Sequence, residues 1–133
     1  MNASITYDEI AEFIERKFMI RPKLAIVSEK ILDVSYRPGL FLPAISVKFH
    51  IEGIYKDFIC LSYDCGTAAS LMITGVVAYL EEKIPNGVEV NTIEKRVNIY
   101  LNRFKQIEKA FEYVALNDIS FDNNSAYISF AIV

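Results

Sequence analysis

An α+β fold class follows from three features of the sequence: a mostly antiparallel five-stranded sheet with helices on one face, in the order α-β-β-β-α-α-β-β. Apolar residues alternate cleanly over 44–52, apolar residues keep helical spacing near the N-terminus and again over 91–114, and the strand-helix-strand rhythm of a parallel sheet is missing. The 133 residues carry no internal repeat, low-complexity stretch or interdomain linker, so 1–133 reads as a single domain.

Thr6 and Glu9 stand at capping-box spacing and Ile5 with Ile10 at hydrophobic-staple spacing, which starts a helix at Thr6. Its stripe is Ile10, Phe13, Ile14 and Phe18, and Pro22 is expected to end it. Lys23 to Tyr36 is expected as one long strand with Leu24, Ile26, Leu32, Val34 and Tyr36 on one face, before a turn at Arg37-Pro38-Gly39. In Ala44 to Glu52, Ile45, Val47, Phe49 and Ile51 point one way and Ser46, Lys48, His50 and Glu52 the other. A two-residue hairpin at Gly53-Ile54 would return through Tyr55 to Tyr63, setting Phe49 against Phe58, Val47 against Cys60 and His50 against Asp57.

Cys65 to Leu80 carries no charge over 16 residues. As a helix it would reach only ~24 Å of a ~30 Å hydrocarbon core, and acidic residues flank it, so it is expected as a buried helix and not as a membrane span. Asp64 or Thr67 could cap it, and Ala68, Ala69, Gly75 and Ala78 would permit close approach of neighbours on all sides, another subunit among them. Asn91 with Glu94 opens a further helix, with Ile93, Val97, Tyr100, Leu101, Phe104, Ile107, Phe111 and Val114 as the face that covers the sheet. Ile119 to Phe121 and Ala126 to Val133 form a last hairpin around Asp122-Asn123-Asn124-Ser125.

Composition narrows the function classes. Hydrophobic residues make up 53% and the net charge is −3, so the basic face that nucleic acids or anionic membranes require is not expected; Lys95, Arg96, Arg103, Lys105 and Lys109 are interrupted by Glu94, Glu108 and Glu112. The first residues show no signal peptide, which makes the cytoplasm the expected compartment, and Cys60 and Cys65 are expected as thiols. Asn2-Ala3-Ser4 and Asn123-Asn124-Ser125 match the glycosylation pattern by chance under that expectation.

No catalytic, metal or cofactor motif is present in the sequence. The weak catalytic candidates are His50 with Asp57, an imidazole held by a carboxylate with Lys48 and Tyr55 on the same face, and Cys65, a thiol at a strand-to-helix turn. One histidine and two cysteines do not make a zinc tetrad without carboxylates, and the Asp118, Ser120, Asp122 series lacks the glycine and glutamate of a calcium loop, since Asn123 and Ser129 stand there. No cofactor is expected. Leu40, Phe41 and Leu42, bounded by Gly39 and Pro43, place three large apolar side chains where a turn is normally polar, and are the candidate interaction loop.

The leading expectation is a small non-catalytic protein-interaction module, adaptor- or chaperone-like, that forms a homodimer or meets a protein partner. The alternative is a binder of an apolar small molecule between helices and sheet, with Phe13, Phe49, Phe58, Tyr63, Met72 and Phe104 as lining. An enzyme using His50, Asp57 or Cys65 stands third.

Overall fold

The computed structural model describes residues 1–37, 44–79 and 84–133. Its elements are β1 (Asn2–Thr6), α1 (Tyr7–Phe18), β2 (Lys23–Ser28), β3 (Ile31–Tyr36), β4 (Ile45–Ile54), β5 (Phe58–Cys65), α2 (Thr67–Tyr79), β6 (Val88–Asn91), β7 (Arg96–Tyr100), β8 (Val114–Phe121) and β9 (Ser125–Ile132). The fold is mostly β. Among the described residues, nine strands make two antiparallel sheets, one of three strands in the order β1-β9-β8 and one of six in the order β2-β3-β4-β5-β7-β6. This corrects the α+β expectation of a five-stranded sheet with helices on one face: among the described residues only two short α-helices are present.

The N-terminal helix follows local chemistry. Thr6 Oγ1 accepts from the Glu9 amide at 3.1 Å while Glu9 Oε1 accepts from the Thr6 amide at 3.1 Å, which completes the capping box. The helix stops at Met19 (φ 59°), whose left-handed backbone lets its amide donate to Glu15 O at 2.8 Å, so it ends before Pro22 is reached.

The stretch 23–36 is two strands and not one. A turn at Glu29-Lys30 pairs Leu24 with Val34 and Ile26 with Leu32, which keeps all four apolar side chains on one face; a single strand of that length would run ~46 Å at ~3.3 Å per residue. The next hairpin has a different register from the one expected. A bulge between Ile51 and Gly53 and a turn at Tyr55 to Asp57 set Val47 against Cys65, Phe49 against Tyr63 and His50 against Ser62. Gly53 serves the fold by lacking a side chain, because a Cβ there would sit 2.9 Å from the Tyr55 ring that lies over it.

The largest correction concerns 91–114, expected as one long helix. Asn91 Oδ1 accepts from the amides of Ile93 and Glu94, the same bonds an N-cap would make, but here they close the turn between β6 and β7, and Lys95 is left-handed at φ 57°. Val88 then pairs with Ile99 and Val90 with Val97 on the face that continues Ile59 and Leu61, while Ile93 is left in solvent. Two 3₁₀ turns, Leu101–Arg103 and Glu108–Glu112, carry the chain across to β8.

The core lies between the sheets: Ile51 and Ile59 from the larger meet Leu116 and Ile119 from the smaller, with Phe111, Phe121, Ile128 and Phe130 packed around them. The outer edge of β8 is closed by hairpin tips. Lys56 O accepts from the Leu116 amide at 2.7 Å, Glu29 O accepts from the Phe121 amide at 2.8 Å, and Lys30 Nζ donates to Asp118 at 2.7 Å and to the Ile119 carbonyl.

Candidate functional site

Among the described residues, a concave feature of uniform chemistry lies between β5 of the larger sheet, β8 and β9 of the smaller, and the 3₁₀ turns. Strand alternation aims Ile59, Ile119 and Ile128 into it as a floor continuous with the core. Leu101, Phe111 and Phe130 form its walls, the two phenylalanine rings meeting edge to face at 6.2 Å. Ile107, Ala110 and Val114, together with Met1, form the rim. The cavity is open to solvent on one side, has a volume of about 340 Å³, and its lining is wholly apolar. Such walls offer no hydrogen bond, so they select for hydrocarbon and against any group that must shed water to enter.

A second hollow, of about 470 Å³, adjoins it, with Phe111 in the lining of both. Lys56, Asp57, Asn102, Glu108, Lys109 and Glu112 make it polar. Asp57 anchors it: Oδ2 accepts from Asn102 Nδ2 at 2.9 Å and its carbonyl accepts from the Leu101 amide at 2.8 Å, which ties the first 3₁₀ turn to the β4–β5 tip. Asp57 is therefore a structural tether, far along the hairpin from His50, and the expected His50–Asp57 pair does not form.

His50 lies on the polar face of the six-stranded sheet. Its Nδ1 is 3.3 Å from Glu52 Oε1, and the Ser62 hydroxyl donates to that same oxygen at 2.6 Å. The carboxylate stands between hydroxyl and imidazole, whereas activation of a serine needs the imidazole in the middle. The Ser62 hydrogen bond, followed by the His50 and Arg96 charges, holds the Glu52 carboxyl below its usual range. All of this is solvated surface, with the His50 and Glu52 side chains 48% and 38% exposed. Cys65 pairs with Val47, an odd number of steps from the His50–Ser62 pair, so it faces the other side of the sheet from His50, the base the sequence offered it.

Among the described residues no group of three or more His, Cys, Asp or Glu is placed to hold a metal. Asp118 is taken by Lys30, and Asp122 Oδ1 accepts from the amides of Asn124 and Ser125 to shape the β8–β9 turn. Leu40, Phe41 and Leu42 lie outside the described residues. The aromatic residues expected to line a ligand site are occupied elsewhere. Phe13 is exposed, Phe49 packs on Tyr63, Phe58 stacks between Tyr55 and Tyr100, and Phe104 lies over Gly87. Of the actual lining, Leu101, Ile107 and Phe111 belonged to the stripe of the expected helix, and Ile128 and Phe130 alternate within the last strand. Their meeting point depends on pairings between residues far apart in sequence.

Comparison with models of protein families, with curated proteins and with solved structures returns no match.

Proposed function

We propose that this chain is a non-catalytic protein-interaction module, adaptor- or chaperone-like, that self-associates, with a homodimer as the smallest assembly. One observation carries it: α2 has no charged residue from Thr67 to Tyr79, yet Leu71 on it is 71% exposed, and Thr74, Gly75 and Ala78 are exposed beside it. A helix apolar on every side is stable when every side is covered. The expected buried helix is thus left open on one side.

Surface area supports the same reading. A compact monomer of this mass exposes about 7,100 Å², against 8992 Å² for this chain, so the chain shows more surface than a fully compact monomer would. Among the described residues no large side chain is fully enclosed. The core cluster draws on both sheets, which supports 1–133 as one domain. Cys60 and Cys65 are free thiols, in keeping with residence in the cytoplasm, and no described helix is long and apolar enough to cross a membrane.

Sedimentation equilibrium tests the proposal. At about 100 µM, above the dissociation constants of weak homodimers, the wild type should sediment as a dimer and Leu71→Glu as a folded monomer. A wild type that stays monomeric there, or a Leu71→Glu variant that dimerises as well as the wild type, would overturn it.

A further inference from the structure

We infer that the apolar cavity between the sheets is a binding site for a single-chain aliphatic amphiphile with an uncharged polar head, an activity independent of self-association. Three observations meet here. The lining is apolar throughout, from the floor of Ile59, Ile119 and Ile128 to the rim at Ile107 and Ala110, so the part of a ligand inside it must be hydrocarbon. The volume, about 340 Å³, lies at the small end of ligand sites and suits a chain of about ten carbons, a methylene being about the size of a water molecule.

Third, the polar hollow shares Phe111 with the cavity, so the two are neighbours, and the head of a molecule whose tail lies in the cavity comes near these polar side chains where it leaves past the edge of that ring. That hollow holds three carboxylates, Asp57, Glu108 and Glu112, against two ammonium groups, Lys56 and Lys109. An anionic head would meet excess negative charge, whereas a hydroxyl or amide finds donors and acceptors of both kinds. The rim is built for exchange: Ile107 and Ala110 are exposed, the first just before the second 3₁₀ turn and the second within it, and the short backbone hydrogen bonds there are cheaper to open than a strand ladder.

Titration calorimetry of the full chain with hexanol, octanol and decanol is the test, with octanoate as the charged control. Affinity should rise about fourfold for each added methylene until the cavity is full, and octanoate should bind several-fold more weakly than octanol. Ala110→Phe, which places a ring inside the rim, should weaken octanol at least about tenfold; Ile107→Ser, at an exposed position where folding is not at risk, should weaken it about fourfold or more. Octanol should also raise the thermal midpoint of the wild type and leave that of Ala110→Phe unmoved. Affinity independent of chain length, unchanged binding in both variants, or octanoate binding as tightly as octanol would overturn the proposal. Octanol binding that vanishes in step with dimer formation would also overturn it, because the cavity would then belong to the subunit interface.

Discussion

Gly87 gives the sharpest test of how β6 and β7 are packed. It is buried just before β6, and a Cβ placed on it would lie 2.3 Å from Phe104 Cε2 and 2.8 Å from the Tyr100 carbonyl oxygen. In Gly87→Ala the half-buried Phe104 ring could swing outward, forfeiting about 1–2 kcal/mol of apolar burial. The carbonyl contact has no such escape. The Tyr100 amide donates to Gly87 O at 2.6 Å, so relief means moving the start of the ladder, an overpacking cost of about 1–3 kcal/mol. Against this the less flexible unfolded chain returns about 0.4–1 kcal/mol. The net loss is about 2–3 kcal/mol, a fall in midpoint temperature of roughly 6–12 °C for a chain of this size. Gly75→Ala makes the same chemical change within α2, where nothing lies within 4 Å of the new Cβ, and should gain about 0.5–1 kcal/mol. Urea unfolding at low protein concentration reads both, and combining Gly87→Ala with Phe104→Ala should cost less than the sum, because one clash is removed in advance. The reasoning is refuted if Gly87→Ala lies within about 0.5 kcal/mol of the wild type, or if Gly75→Ala is as costly as Gly87→Ala.

Two further outcomes follow from single groups. Met19 holds a left-handed backbone with its side chain 91% exposed, so Met19→Gly relieves strain without uncovering core and should raise stability by about 0.5–1 kcal/mol in thermal unfolding; a lower midpoint would count against the cap geometry. The Lys30 hydrogen bond holds the Asp118 carboxyl below its ordinary 3.8, so its stabilisation is complete above that value and disappears as pH falls through the lower folded-state value. Asp118 is half exposed, which keeps the contribution to about 1 kcal/mol at most, and Lys30→Met should flatten this part of the acid-side loss between about pH 5 and pH 2; an acid profile that Lys30→Met leaves unchanged would remove the pair from the account.

What could be read in advance was local. The capping box at Thr6 and Glu9 spans three residues and forms as its spacing indicates, and the alternation of 45–51 becomes the centre of β4. Asn91 with Glu94 shows the limit of the same rule. The side-chain bond to the following amides is common to a helix cap and a tight turn, and what decides between them is whether the next apolar residues find a sheet. They do, since Val97 and Ile99 land beside Leu61 and Ile59, strands that no spacing within 91–114 could reveal. Gly53 misled for a related reason: glycine suits a turn, but here its missing side chain accommodates the Tyr55 ring and the turn lies further on. The cavity was illegible for the same cause, because Ile59, Phe111 and Ile128 meet only after both sheets are assembled.

The hairpin tips that close β8 bear on how the protein reaches this state. The hairpins β2–β3, β4–β5 and β8–β9 each join neighbours in sequence, but β1 pairs with β9 across nearly the whole chain, Asn2 against Ser129. A pairing of such long range has the larger loop-closure cost and is expected to form after the local hairpins. Until Glu29 O and Lys56 O arrive, the Leu116 and Phe121 amides leave β8 with unmade bonds beside Ile119 and Phe121, a template onto which another nascent chain could add a strand. The two turns thus cover an edge that is otherwise open to strand addition, and a change that keeps either tip from docking is expected to appear first as aggregation, before any loss of stability in the finished fold.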